Sequence, residues 1–144
     1  IREVERGGGG ERHLIAVQGT RAYGRSVHHY IDHPIAADDG RNIVYEVHLF
    51  DSLDRFQNLV GEPATHLPMI IGAFGPPSDD ELGHQDAKNL MLLADEIGVS
   101  YSAWSLHHAC GPNLLKATET GCGVDMSLEP TLWGDVVRQH LLGE

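Results

Sequence analysis

The chain has 144 residues, of which 41% are apolar and 22% are charged, as is usual for one globular domain with a substantial core. Its formal charge of −11, from 21 acidic and 10 basic residues, disfavours a nucleic-acid partner, which requires clustered Lys and Arg. The sequence contains no apolar run of about 18 residues, so we predict no membrane-spanning helix.

The amino-terminal part of the chain predicts a flexible segment and then a strand. Residues 1–12 contain four consecutive glycines, and we assign the domain itself to residues 13–144. The apolar run over residues 13–18 predicts a first strand that ends at Gly19. A long polar loop is expected to follow, over residues 20–41.

A second strand and a helix are predicted next. The run Asn-Ile-Val-Tyr-Glu-Val-His over residues 42–48 predicts the strand, which ends in Leu49, Phe50 and Asp51. Ser52 is a plausible N-cap for a helix over residues 53–60, and Gly61 would close that helix.

The third strand is predicted over residues 68–72, where it meets a small-residue turn at 72–75 before Pro76 and Pro77. The acidic run that ends at Glu81 then predicts the start of a long amphipathic helix, with Gly98 as its C-cap.

A fourth strand, a loop and a final helix complete the chain. The strand is predicted over residues 99–104, and the helix over residues 130–142 with Pro130 in its first turn. Strands and helices that alternate in this way predict βα units with a parallel sheet. Four such units are half of an eight-unit barrel, which typically needs about 250 residues.

Four segments with characteristic residues follow one another along this predicted half-barrel. They are residues 13–23; Asn-Ile-Val-Tyr-Glu-Val-His-Leu-Phe over 42–50; Ile-Ile-Gly-Ala-Phe-Gly over 70–75; and Tyr-Ser-Ala-Trp-Ser over 101–105. In this order and spacing they closely resemble strands five to eight of glycoside hydrolase family 5, the cellulase-like barrels. The resemblance implies an α/β fold that is half of a TIM barrel, (β/α)4, matching the second half of a (β/α)8 barrel.

The resemblance also implies a set of sugar-binding residues. Trp104 matches the tryptophan of the eighth strand that stacks on a sugar ring, and His48 matches a histidine near the catalytic nucleophile. Tyr23, Phe50 and His107 are the further candidates for contact with the substrate. From the residues alone, a Trp in a strand is more often part of the core and a single His is more often structural.

Two departures from the family affect catalysis. Ala73 stands where the family has its nucleophilic glutamate, and Phe50 replaces a tyrosine whose hydroxyl would contact that glutamate. The family's acid/base glutamate belongs to an Asn-Glu-Pro motif on the fourth strand, which would lie upstream of Ile1. Glu62 and Glu129 precede prolines, but both are expected in connecting segments. Hydrolysis by the family mechanism is therefore not expected of this chain.

The histidines and cysteines could support other chemistry. Ten histidines, including the adjacent pair His107-His108, invite a metal interpretation, but their spacing matches no compact ligand motif, and we predict no metal and no cofactor. Cys110 and Cys122 lie twelve residues apart, where a disulfide would contribute roughly 2–3 kcal/mol; two free thiols are the alternative. A disulfide would indicate a secreted or extracytoplasmic protein.

Three functions follow from these observations. The first is a β-glucan-binding protein related to endo-β-1,4-glucanases but without catalysis. The second is half of a glycoside hydrolase, or an inactivated variant of one, that hydrolyses β-1,4-glucan when completed. The third is a histidine-bound metal site with other chemistry. Because the edge strands and inner face of a half-barrel are open, we also expect a homodimer or a complementary half-barrel chain.

Overall fold

The computed structural model describes residues 13–21, 24–36, 41–108, 111–117 and 128–143. Their centre is a four-stranded parallel sheet in the order β1-β2-β3-β4. The strands are β1 (Ile15–Gln18), β2 (Ile43–Leu49), β3 (Met69–Phe74) and β4 (Ser100–Ala103). Consecutive strands are therefore neighbours throughout, as in one half of a (β/α)8 barrel.

Helical segments connect the strands. They are α1 (His29–Asp32), a 3-10 helix (Leu53–Arg55), a π-helix (Gln57–Gly61), α2 (Glu62–Ala64), α3 (Glu81–Ile97) and α4 (Leu132–Leu142). Across the described ranges, no helix is long and apolar enough to cross a lipid bilayer.

The core lies between one face of the sheet and the helices. Along β2, Tyr45, Val47 and Leu49 are buried and alternate with half-buried residues, because successive side chains of a strand point to opposite faces. The buried face packs with Leu90 of α3 and Trp133 of α4 in one apolar cluster. The other face of the sheet, which would line the inside of a complete barrel, is only half-buried.

The two long helices have well-defined ends. The Asp80 carboxylate accepts a hydrogen bond from the Gly83 N–H at 2.8 Å and so caps α3. Gly98 ends α3 with a left-handed backbone, φ 71°, which glycine adopts without strain. At α4, the Thr131 hydroxyl accepts from the Gly134 N–H at 3.0 Å. The predicted start and C-cap of α3 are thus confirmed.

A polar network joins α3, β4 and α4 at the amino-terminal edge of the sheet. His140 Nε2 lies 2.8 Å from an Asp95 oxygen and 3.1 Å from the Tyr101 hydroxyl. Burial, together with the hydrogen bond to Asp95 and its charge, raises the pKa of Tyr101 above its ordinary value of 10.0. Residues at this end of a barrel serve stability, so we place the network outside the functional site.

One of two predictions for the segment after β2 was wrong. Ser52 is the N-cap residue of the 3-10 helix, as predicted, although its side chain makes no capping hydrogen bond, but Gly61 does not end the helical segment. The helical backbone instead continues from the π-helix into α2, where Pro63 lies in the first turn. Glu62 consequently lies in a helix rather than in a connecting segment.

Two other boundaries differ from the prediction. Gly72 and Ala73 belong to β3, which ends at Phe74, and do not form a turn. Pro130 precedes α4 and forms an isolated bridge with Leu115, so the first helical residue is Leu132. The predicted loop over 20–41 also contains the short helix α1.

Candidate functional site

Three of the predicted site residues lie at the carboxyl ends of neighbouring strands. His48 on β2 is directly opposite Ala73 on β3. The Trp104 N–H, immediately after β4, donates to the Phe74 carbonyl at 2.8 Å. The structure therefore brings His48, Ala73 and Trp104 to one edge of the sheet, which is where parallel barrels hold their functional side chains.

A β-bulge orients Ala73. Glu46 pairs with Ile70 and Val47 pairs with Ile71, but His48 pairs with Ala73, so Gly72 is an extra residue in β3. Without this insertion, strict alternation would put Ala73 on the helix side with Ile71. The bulge instead places Ala73 on the same face as His48, and bulges commonly redirect a side chain in this way.

His48 is held by a polar chain on the inner face of the sheet. Its Nε2 lies 2.8 Å from Glu46 Oε1, and its Nδ1 lies 3.4 Å from the Gln18 side-chain amide. Because a carboxylate only accepts hydrogen bonds, Nε2 donates to Glu46 and Nδ1 accepts from Gln18. The imidazole is about a quarter exposed, with 28% of its side-chain surface accessible. Its orientation is thus fixed while one side remains open to solvent.

Glu46 is a functional candidate that the sequence reasoning missed. Its side chain occupies the space beside Gly72, where an added Cβ would collide with the carboxylate. The signal was present in the sequence, because residues two apart on a strand share a face and Glu46 therefore accompanies His48.

Trp104 has an exposed side chain with a fixed backbone. Its relative exposure is 44%, whereas Trp133 is 2% exposed and packs edge-to-face against Phe74. The Trp133 indole N–H donates to the Trp104 carbonyl at 2.9 Å, which anchors the backbone at the end of β4. The core interpretation is therefore wrong for Trp104, and Trp133 is the core tryptophan.

Phe50 forms part of an apolar floor just beyond β2. The residue is half-buried, and Gly75 allows its close approach: a Cβ at Gly75 would lie 3.1 Å from the Phe50 ring and 2.6 Å from Pro112. The floor is therefore made by packing between the segments that follow β2, β3 and β4.

The remaining candidates lie elsewhere or outside the described residues. His107 is half-buried, and its ring stacks on that of buried His108 with centroids 4.6 Å apart. Tyr23, Cys110 and Cys122 fall outside the described residues. Among the residues that the structure describes, no three His, Cys, Asp or Glu side chains come together to hold a metal ion.

Comparison with known proteins extends the fold assignment. No sequence-family model matches the chain. It is 31% identical over 74 residues to a mannan endo-1,4-beta-mannosidase of Streptomyces lividans, which covers 49% of this chain and 19% of that protein. A GH5 cellulase from an Icelandic hot spring isolate superposes with a TM-score of 0.70 at 18% identity. The superposition covers 99% of this chain and 47% of the cellulase chain.

An endoglucanase of Thermobifida fusca, solved with cellotetraose, superposes with a TM-score of 0.66 at 20% identity. The superposition covers 90% of this chain and 46% of the endoglucanase chain. The chain thus spans less than half the length of each of these proteins. The predicted resemblance to glycoside hydrolase family 5 is confirmed, and the fold of this chain is that of half a barrel of the family's type.

Proposed function

We propose that this protein binds β-1,4-linked oligosaccharides of the cellulose or mannan type at the carboxyl edge of its sheet and does not hydrolyse them. The observation that carries the proposal is the exposed indole of Trp104, held beside His48 and Ala73 at the edge where barrel enzymes act. Sugar rings have apolar faces and polar rims, and a half-exposed indole beside hydrogen-bonding groups matches both.

The names of similar proteins support this class of ligand. The T. fusca endoglucanase was solved with cellotetraose, and the S. lividans relative is a mannan endo-1,4-beta-mannosidase. Cellotetraose and the substrate named for the mannosidase share the β-1,4 linkage, so we propose that this linkage is what the edge recognises.

Each residue of the edge has a proposed role. Trp104 stacks on one sugar ring, and Phe50 extends the apolar surface against which the oligosaccharide lies. His48 contacts the sugar with the exposed part of its ring, because both ring nitrogens already have partners, and Glu46 is a positioning residue that fixes the imidazole through Nε2. His107 is a peripheral contact on the loop that follows Trp104.

The absence of hydrolysis follows from the residue at position 73. A retaining glycosidase needs two carboxyl groups about 5–5.5 Å apart, one of them as nucleophile. Ala73 offers no carboxylate. Glu46 is a neighbouring carboxylate, but it lies two residues before His48 on β2, opposite Ile70 rather than Ala73. It also accepts a hydrogen bond from His48.

Tryptophan fluorescence tests the proposal, because the chain has only two tryptophans and one is buried. Titration with cellohexaose or mannohexaose should change the emission of Trp104 in a saturable way. Trp104→Ala should abolish this change and weaken binding about tenfold, since loss of an aromatic anchor costs about 1–2 kcal/mol. Leu106→Ala, a change at another exposed residue, is the control; equal binding by wild type and Trp104→Ala would sink the proposal.

A second candidate function is one half of an active hydrolase. The observation that favours it is that the chain covers only 46–47% of the superposed cellulase structures. Ala73→Glu, mixed with a separate chain that carries the first half of such a barrel, should then release reducing sugar, and wild-type Ala73 in the same mixture should not. No release from either mixture would rule this candidate out.

We propose an extracytoplasmic location, since polymeric β-glucans and mannans are found outside the cytoplasm. The predicted bridge between Cys110 and Cys122 would agree with this location. Thiol titration of the unfolded protein, with and without reductant, measures whether that bridge exists.

A further inference from the structure

We propose that the preferred glycan is acidic, and that an arginine-lined cavity beside the sheet edge binds the carboxylate of a uronic acid. This inference rests on the proposed function, because it names the class of sugar that the edge would bind. The cavity has a volume of about 490 Å³. Arg21, Arg25 and Arg55 line it, together with Ser26, His28 and Asn58.

The position of the cavity links it to the proposed glycan edge. Its residues come from the segment after β1, over 19–28, and the segment after β2, over 50–59. Both segments follow the carboxyl ends of their strands, as Trp104 follows β4. Three strand spacings, about 14 Å, separate β1 from β4, so one oligosaccharide would reach from Trp104 to the cavity.

The charge of the cavity is opposite to that of the chain. The chain carries −11, yet three of its eight arginines line this one cavity. Asp51 is the internal counter-ion: it is 9% exposed and lies 3.6 Å from Arg25 Nε and 3.5 Å from Arg55. The Glu62 carboxylate on α2 lies 4.0 Å from Nε2 of His28, which lines the cavity. Among the described residues, the charged side chains that line the cavity are all arginines, which favours an anionic ligand.

The chemistry of these side chains favours a carboxylate. Guanidinium groups pair with planar carboxylates through two parallel N–H···O hydrogen bonds, which a neutral sugar hydroxymethyl cannot match. Ser26 and Asn58 add neutral hydrogen-bonding groups of the kind that sugar hydroxyls need. The nearly buried Asp51 carboxylate pairs with Arg25 and Arg55, so two of the three guanidinium groups are held in position by an ion pair.

A matched pair of ligands tests the inference. One is cellohexaose and the other is a β-1,4-linked hexamer of glucuronic acid, which differs by a carboxylate at each C6; inorganic phosphate is the third arm. We expect the acidic hexamer to bind at least tenfold tighter than cellohexaose in about 50 mM NaCl, with most of this advantage lost in about 500 mM NaCl.

Variants identify the source of the preference. Arg21→Gln and Arg55→Gln should each reduce the affinity for the acidic hexamer about fivefold or more relative to the affinity for cellohexaose. Arg138→Gln is the matched control, because this arginine lies on α4 and pairs with Asp135. Thermal melts verify that each variant is folded, and Arg21→Gln, which leaves the Asp51 ion pairs intact, keeps the test decisive if Arg55→Gln is unstable.

The outcomes separate the two proposals. Equal binding of both hexamers overturns the acidic preference and leaves the proposed function standing. Arginine-dependent binding of the acidic hexamer without any binding of cellohexaose overturns the neutral-glycan proposal and supports the cavity. Phosphate that binds as tightly as the acidic hexamer would show a simple anion site and overturn the inference, as would an Arg138→Gln effect equal to that of Arg21→Gln.

Discussion

Glu46 and His48 lie two residues apart on β2 and face the inside of the half-barrel together. A search guided by family motifs finds His48, Ala73 and Trp104, because each stands in a recognisable short sequence. Glu46 belongs to no such short motif. It is recognised only because residues two apart on a strand share a face, which places Glu46 beside His48. The bulge at Gly72, which decides the direction of Ala73, was not predicted from the sequence, since a run of small residues indicates a turn equally well.

Removal of Glu46 should therefore act through His48. We expect Glu46→Ala to weaken cellohexaose binding about threefold to tenfold, because the imidazole loses the acceptor that fixes its orientation. In a His48→Ala background the same change should have little further effect, which a double-mutant cycle measures. Glu129→Ala, at an exposed carboxylate that pairs with Lys116, is the control. Additive losses in the cycle would contradict the positioning role.

At the scale of elements, the sequence predicts what local chemistry decides. The cap residues of α3 are visible in the sequence, and its beginning and end were predicted correctly. The end of the helical segment after β2 was not predicted correctly. Glycine commonly ends a helix, but Gly61 lies in a π-helix whose backbone continues through Pro63. Its shape is decided by packing of Leu59 and Val60 into the core, which local propensity does not reveal.

The cap of α3 gives stability that depends on pH. Hydrogen bonds from the Gly83 N–H and then the Ser78 hydroxyl lower the pKa of Asp80 below its ordinary value of 3.8. The stabilisation from this carboxylate is fully present above the unfolded-state pKa and is lost as pH falls through the lower folded-state pKa.

We therefore expect Asp80→Asn to unfold at lower urea than wild type at pH 7, and the difference to shrink as the pH falls through the lowered folded-state pKa of Asp80. Urea unfolding curves over this pH range measure the difference. Glu96→Gln, at an exposed carboxylate near the other end of α3, is the control. An Asp80→Asn deficit that stays constant down to the lowest pH would contradict the role of the ionised cap.

At the scale of the whole molecule, strand–helix alternation predicted a half-barrel, and the parallel order β1-β2-β3-β4 agrees with it. The sequence could not say what covers the inner face, because that depends on contacts beyond a single domain. Within the described ranges, β1 and β4 each pair along one side, and Val44 on the inner face is only half-buried. Such edges favour association.

We expect a homodimer in solution, with twice the monomer mass by light scattering. Val44→Lys should shift the protein toward the monomer, because it puts a charge on the inner face. Leu82→Lys, at a 77% exposed position on α3, should have no such effect. A monomeric mass for the wild type together with a cooperative thermal melt would contradict this expectation.

Calorimetric titration of the wild-type chain with cellohexaose, followed by chromatography of the sugar, tests the central claim most directly. Binding without hydrolysis predicts a saturable heat that returns to baseline after each injection, with the hexamer recovered intact and the heat strongly reduced in Trp104→Ala. A heat that persists after each injection, accompanied by shorter oligosaccharides, would show turnover despite Ala73 and contradict the account. The absence of any saturable heat would contradict it as well.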